Sequence, residues 1–471
     1  MNPTNEDLEI GAGGFSREAP ASGLGTVPAQ LVEYGATPAP QDIRPTHTLT
    51  AERNILASIR VCAVTCDGYP QDPLVRRTAE AAAAAGVDYH VICSTKKAQA
   101  KYEIFNGVHV HRIPLSRISA RPLGTTLALW FVFAVAACVK VARLHRKFHF
   151  DVVHVHNLPD FLVFAALVPK LCGARVILHV QDVAPELMGA KTKGLLRRIT
   201  VPLAKLQERI STAFADHVLT VGWPFEECLL KRGVSRWKLS SILNSADPNL
   251  FPVEKRSEPF LGDAIAQRPI VLMYYGTCSK RQGLDTAIRA LAKAQETAPH
   301  LRLHIKGSGD HLPHLRELAQ SLGLADRVAF YPGGPIDEVA DFVAQGDISI
   351  IPYRADGFMD LVLPTKAYEC ALMRRPMIAS DTVAMRSMFR ATSVMLCDPS
   401  SVDSFAEAIA KLYHSPEKRA RLISSAEQDY TNYRWEKMAG RYTRLIAALA
   451  AENGQKARPL QGDSGSGLRR G

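Results

Sequence analysis

Short apolar runs rich in β-branched residues alternate with longer helical segments along this chain, and the alternation stops once and then restarts. Ile59–Val64 is followed by a loop through Asp67, Gly68, Tyr69 and Pro70, then by an alanine-rich segment that Gly86 should stop after about Ala85. Tyr89–Cys93, Asp151–Val155, Arg175–Val180 and His217–Val221 continue the series. Runs that are apolar at nearly every position suit parallel strands buried on both faces. After a break at Asn244–Pro252 the rhythm resumes with Ile270–Tyr275, Leu301–Ile305, Val328–Tyr331, Ile348–Ile351 and Met377–Ser380. The expectation is an α/β protein of two Rossmann-like parallel-sheet domains, whose strand C-terminal ends face one central cleft.

A chain of 471 residues is too long for one ordinary core. The expected division is a disordered tail over 1–57, a first Rossmann-like domain over 58–245 and a linker over 246–268. A second such domain covers 269–430, a helix over 431–450 packs back toward the first domain, and a disordered tail covers 451–471. Both tails are rich in small residues and lack a sustained period. A net charge of +11 suits an anionic partner: a nucleotide diphosphate, an acidic lipid surface or nucleic acid. Nucleic acid is set aside, because the basic residues are dispersed and no recognition motif accompanies them. The nine cysteines are scattered without CxxC spacing, which fits a reducing, cytoplasmic setting and argues against structural zinc. The first ten residues are polar and acidic, unlike a signal peptide.

Leu127–Val139 holds thirteen residues without a charge, and Lys140, Arg143, Arg146 and Lys147 follow. A membrane span needs about 20 apolar residues. Three readings stay open: a buried or half-buried helix, a helix dipping into a membrane surface beside its basic residues, or a true span.

The segment Leu363-Pro364-Thr365-Lys366-Ala367-Tyr368-Glu369 carries the clearest chemistry. Thr365 is a good N-cap for a helix running to about Met373. The free N–H groups of a first helical turn attract anions. Thr365 and Glu369 share a helix face, so a carboxylate stands one turn in from a phosphate site, where it can accept from ribose hydroxyls. An ordinary capped helix with solvated Lys366 and Glu369 is the alternative. Two alternate histidines, His154 and His156, precede Asn157 and Asp160. These four fit an acceptor-facing loop, a structural polar cluster or a metal site.

Taken together these segments resemble a family 4 glycosyltransferase of the two-domain GT-B architecture. LPTKAYECALMRRPMIASD resembles that family's donor-binding loop, helix and strand. YYGTCSKRQGLDTAIRAL resembles the start of its second domain, and IKGSGDHLPHLRELAQSLGLADRVAFYPG its glycine turn and following elements. NSADPNLF resembles the interdomain linker, and GYPQDPLVRRTAEAAAAAG, DVVHVHNLPDFLVF and LHVQDVAPEL resemble first-domain segments in the same order. The likeness covers about Ile59 to Ala450.

The resemblance implies a hexosyltransferase that takes a sugar from a nucleotide-diphosphate sugar with retention and needs neither metal nor cofactor. Its acceptor would be a glycan or a lipid-linked saccharide, in polysaccharide or glycoconjugate synthesis, with an anionic membrane surface as a further partner. The implied place is the cytoplasm, peripheral on the cytoplasmic face of a membrane. Donor contacts fall on Gly68, Thr277, Gly307, Gly309, Pro364, Thr365, Lys366 and Glu369. Acceptor contacts fall on His156, Asn157 and Asp160, and catalytic roles on His179, Gln181, Asp182, Lys280 and Arg281. A non-catalytic GT-B partner and a nucleotide-sugar epimerase are the alternatives. A nicotinamide dehydrogenase lacks support, because TCDGYPQDP replaces GxGxxG after the first strand.

Three positions depart from the family pattern. Leu361 stands where a first glutamate is common, with Asp360 beside it. Thr277 and Gln282 replace a basic pair, which Lys280 and Arg281 could replace from the same loop. Gln181 replaces a histidine. Either Gln181 bonds the sugar or acceptor, or His179, two residues earlier on the same strand face, replaces the imidazole in part. A satisfied strand-end histidine is the other reading of His179. Asp182 and Glu186 are further candidates to orient the acceptor.

Overall fold

A computed structural model describes residues 54–95, 99–115, 123–256, 268–335 and 338–456. The tail over 1–53, the linker portion 257–267 and the stretch 457–471 lie outside the described residues.

The first domain is built on an eight-stranded sheet. Its strands are β1 (Arg60–Gly68), β2 (Asp88–Ser94), β3 (Tyr102–Phe105), β4 (Val108–Ile113), β5 (Val152–His156), β6 (Arg175–Val180), β7 (His217–Thr220) and β8 (Leu239–Ser241). They lie in the order β3-β4-β2-β1-β5-β6-β7-β8. Only β3 runs antiparallel, paired with β4 through a turn whose Asn106 and Gly107 have φ of 49° and 78°. Positive φ at both central residues is what a two-residue hairpin turn requires. β1 is buried at every position from Val61 to Cys66, as a strand covered on both faces must be. Asp72 caps the next helix, Pro73–Ala84, by accepting from Leu74 N at 2.9 Å and Val75 N at 3.1 Å. That helix ends at Ala85, and Gly86 takes φ 102°.

The second sheet has six parallel strands: β9 (Ile270–Thr277), β10 (Leu301–Ser308), β11 (Val328–Pro332), β12 (Ile348–Ile351), β13 (Met377–Ser380) and β14 (Met395–Cys397). Their order is β11-β10-β9-β12-β13-β14. In each sheet the chain builds outward from the first strand on one side, then crosses to the other. The crossing leaves a crevice at the C-terminal ends of β1 and β5, and of β9 and β12. Ligands in open α/β sheets bind at such points.

The last helix, Trp435–Lys456, returns to the first domain. Its Tyr442 hydroxyl lies 2.6 Å from His154 Nδ1 and 2.7 Å from the Tyr89 hydroxyl. The helix outruns the boundary expected at Ala451, because Glu452 pairs with Arg175 at 2.9 Å.

The uncharged run Leu127–Val139 lies within a 26-residue helix, Leu123–Phe148. Phe133, Ala137 and Val141 are buried against the sheet side, whereas Leu127, Phe131, Val135 and Val139 are exposed. The helix is therefore half-buried. By length and hydropathy its Gly124–Phe148 stretch could also cross a membrane.

Candidate active site

The second-domain wall is the helix Thr365–Leu372, which follows β12. Pro364, not Thr365, occupies the N-cap position, and no side chain caps the helix. Thr365 is the first helical residue, so its hydroxyl leaves the first-turn N–H groups unfilled. One turn in, Glu369 Oε2 accepts a 2.6 Å bond from the Tyr275 hydroxyl on β9. Burial pushes the Glu369 carboxyl up, opposed by that hydrogen bond and by the charges of Arg77 and Lys366.

Lys366 is buried rather than solvated. Its ammonium donates to the Tyr353 hydroxyl at 2.9 Å and lies 4.6 Å from the Tyr274 ring centre and 5.0 Å from that of Tyr353. A methyl on Gly276, where φ is 117°, would stand 3.5 Å from Lys366 Nζ. The cation thus sits directly beneath the backbone of the loop that follows β9.

That loop exposes Thr277 and Lys280. Arg281 is held by Asp356 at 3.1 and 3.3 Å and lies over Phe358 at 4.9 Å. Gly307 and Gly309 line the neighbouring loop after β10. A methyl at Gly307 would overlap the Gly276 carbonyl oxygen, and one at Gly309 the Cys278 carbonyl. These glycines let two loops of the protein meet, a role distinct from the expected approach of a nucleotide. Asp360 does not replace the glutamate missing at Leu361. Its Oδ1 accepts from Val383 N at 3.0 Å, while Leu361 packs against the core.

The first-domain wall is organised by Asn157. Its Oδ1 accepts from Gln181 N at 2.7 Å and Asp182 N at 3.3 Å, and its Nδ2 donates to Asp160 Oδ1 and the Asp182 carbonyl, both at 2.7 Å. His156, Asn157 and Asp160 are all buried. Where the sequence suggests acceptor contacts, all three side chains are turned inward, and Asn157 and His156 hold the 181–182 loop. Burial pushes the Asp160 carboxyl up to about 7, against the Asn157 hydrogen bond. Gln181 Nε2 lies 2.9 Å from His156 Nδ1.

His179 is wholly buried, so it cannot reach a sugar in place of the missing imidazole. It is a buried strand-end histidine satisfied on one side only: β5 and β6 pair His156 with His179, His179 Nδ1 lies 3.2 Å from His154 Nε2, and its own Nε2 has no partner among the described residues. One ring nitrogen each of His154, His156 and His179 lies within 4.8 Å of the others. Hydrogen bonds from Tyr442, Gln181 and within the cluster engage both nitrogens of His154 and one each of His156 and His179. Burial and mutual repulsion hold His154 and His156 well below the imidazole range, and burial takes His179 to about 3. Glu186 is also turned away, in an ion pair with Arg232, which bonds Glu208 at 2.5 Å.

Gly68 ends β1 at the same rim; a methyl there would meet only the tip of Gln71, at 2.7 Å. Two electrostatic links cross the crevice. Asp182 on one side feels Arg281 on the other, while burial and its neighbour Asp67 push its carboxyl up. Arg77, from the Pro73–Ala84 helix, acts on Glu369. Arg77 is buried, donates to Asn244 Oδ1 and the Ser245 carbonyl, and lies 5.3 Å from the Trp435 ring. It therefore ties the first domain, the linker and the last helix together beside the carboxylate.

Arg77 and Tyr275 escaped the sequence reading. Arg77 does fall three residues after buried Leu74 on the apolar face of its helix, a placement that signals a committed cation. Nothing in the local pattern marks Tyr275, whose partner is 94 residues away.

A family model described as "Glycosyl transferase 4-like domain" matches residues 71–244, and one described as "Glycosyl transferases group 1" matches 262–429. With two facing α/β domains and a cationic and carboxylate-bearing crevice between them, the protein is a GT-B glycosyltransferase that uses a nucleotide-sugar. D-inositol 3-phosphate glycosyltransferase of Rhodococcus opacus is 24% identical over 84% of this chain and 90% of its own. The GDP-mannose-dependent alpha-(1-6)-phosphatidylinositol monomannoside mannosyltransferase of Mycobacterium tuberculosis is 28% identical over 60% and 83%. The chain belongs to the family 4 glycosyltransferases. Sucrose-phosphate synthase from Thermosynechococcus elongatus has the same fold, with TM-score 0.68 and 20% identity over 84% of this chain and all of that one. Anabaena HepE, solved with UDP and glucose, gives TM-score 0.61 at 14% identity, over 83% and 100%.

Proposed function

We propose that this enzyme transfers a hexose from a nucleotide-diphosphate sugar to a glycan or lipid-linked acceptor with retention of anomeric configuration. The reading rests above all on Glu369, held by Tyr275 one turn inside a helix whose N-terminal N–H groups carry no side-chain cap. Glu369 receives the ribose hydroxyls. The N–H groups of the Pro364–Thr365 turn, the Thr277 loop and Lys280 receive the diphosphate, with Lys366 beneath and Arg281 at the loop's far side. Gly68 approaches the donor from the first domain, and Gly307 and Gly309 shape the loop behind it. As the bond from the anomeric carbon to the diphosphate oxygen breaks, negative charge grows on the leaving group. Fixed cations and helix N–H groups stabilise that charge without a metal ion. Gln181 and Asp182 line the acceptor side, positioned by His156, Asn157 and Asp160.

Named activities of the relatives favour a phosphate- or lipid-bearing acceptor. A cytoplasmic enzyme on the inner face of a membrane, in polysaccharide or glycoconjugate synthesis, is the setting this acceptor suits. The test is a thermal-shift panel of UDP-, GDP- and ADP-sugars, followed by turnover with the best binder and determination of the product anomer. One donor class should raise the melting temperature and yield product with the donor's configuration. No shift with any donor, or an inverted product, contradicts the reading.

A further inference from the structure

We propose that the helix Gly194–Phe214 lies in the plane of an anionic lipid bilayer and docks the first domain onto it. This names the membrane partner of the acceptor reading above and rests on that reading for its purpose, although its observations are independent.

Fourteen of the twenty large apolar side chains exposed among the described residues lie on three segments: Leu123–Phe148, Leu167–Leu171 and Gly194–Phe214. These segments are neighbours. Cys138 Sγ, on the first, lies 3.4 Å from the Phe164 carbonyl just before the second, and the Phe164 ring stacks edge-on against Phe214 at 5.0 Å. An apolar surface so concentrated marks an interaction site rather than scattered exposure.

On the Gly194–Phe214 helix the exposed residues are Leu195, Leu196, Ile199, Leu203, Leu206 and Ile210, from 49% to 73% exposed. From Leu196 onward their spacings are three or four, so they form one stripe along the helix. The opposite face is fixed inward by buried Ala204, Glu208, Ser211 and Thr212. The stripe therefore cannot turn toward the core.

Charge selects the occupant. Arg198, Lys205 and Arg209 are exposed and run as a row beside the stripe. The helix's one acid, Glu208, is buried and paired with Arg232. Beside the Leu123–Phe148 helix, a groove of about 600 Å³ is lined by Phe131, Val135 and Val139, with Lys140 and Arg143 among its other lining residues. Apolar floor and basic rim are the chemistry of acyl chains below phosphate headgroups. A second copy of this face would instead bring two basic rows together. The docking helix also follows the Gln181–Asp182 loop through the short Ala184–Lys191 helix, so a bound bilayer would lie close along the chain to the acceptor side.

The test is sedimentation of the full chain with phosphatidylcholine vesicles, with and without roughly a third phosphatidylglycerol. The parent should pellet with the anionic vesicles and little with the neutral ones, less so at raised salt. Ile199→Asn/Leu203→Asn/Leu206→Asn should lower partitioning by about tenfold or more. Arg198→Gln/Lys205→Gln/Arg209→Gln, which keeps the stripe, should reduce anionic binding to the neutral-vesicle level. Both variants should keep the parent's melting temperature and donor-induced shift. Equal pelleting of parent and apolar variant overturns the proposal. So does absence of parent binding, or a parent dimer that the apolar variant converts to monomer. The donor-induced shift is read without vesicles, so its failure counts against the transferase reading alone.

Discussion

The Tyr275 hydroxyl, at the end of β9, donates a 2.6 Å hydrogen bond to Oε2 of Glu369, 94 residues further along the chain. The bond fixes a carboxylate at the crevice while its second oxygen stays available. Tyr275→Phe should therefore weaken donor binding by about tenfold, the worth of one hydrogen bond to a charged group. Titration calorimetry with the best donor checks this, and kcat should change less than KM.

Removing Arg77 should cost stability as well as turnover. Its guanidinium is buried and bonds Asn244 and Ser245, so Arg77→Met leaves those acceptors unpaired and one charge fewer beside Glu369. A loss of about 3 kcal/mol is expected in denaturant unfolding. An unchanged unfolding midpoint would show that Arg77 does not tie the domains.

The glycines divide into two kinds. Gly307→Ala drives a methyl into the Gly276 carbonyl, and a loss of about 3 kcal/mol should follow. Gly68→Ala meets only the mobile end of Gln71, so stability should fall by less than about 1 kcal/mol while donor KM rises. Thermal melts beside steady-state kinetics separate the two.

Much of the architecture was legible in the sequence, because strands buried on both faces announce themselves as unbroken apolar runs. Ile348–Ile351 and Met377–Ser380 begin and end where the residues imply. The β3–β4 hairpin carries its own signal in Asn106-Gly107, a turn pair flanked by alternating residues. The site was harder. His156 and Asp160 are polar residues at a strand end, which from sequence can face solvent or the interior alike. Only the pairing of β5 with β6 and the bonds to Gln181 and Asn157 turn them inward. Likewise Lys366 looks solvated until Tyr274, on β9, and Tyr353, in the loop after β12, fold around it.

The buried histidines predict an acid limb in stability. Burial lowers the folded imidazoles, so below the ordinary value of about 6.5 the unfolded chain binds protons that the folded one refuses. Their contribution is complete above that value and is lost as pH falls through it, for His179 until about 3. Asp160, pushed up to about 7, has the opposite slope, because its unfolded carboxyl releases its proton first. The difference between variant and parent isolates the histidine: His179→Leu should lose less melting temperature than the parent between about pH 7 and about pH 5.

Lys280 and Arg281 should carry the leaving-group charge between them. Lys280→Ala/Arg281→Ala is expected to lower kcat by about a hundredfold, in line with removal of fixed electrostatic stabilisation. Arg281→Ala alone also frees Asp356, so part of its effect is structural. Normal turnover by the double variant would remove both residues from the mechanism.

The most direct measurement is calorimetric titration of UDP-, GDP- and ADP-sugars into the parent chain and into Glu369→Ala. The account predicts that one donor class binds the parent and that the variant, still cooperatively folded, loses about a hundredfold in affinity. Equal binding by the two proteins, or no donor binding to the parent, would contradict it.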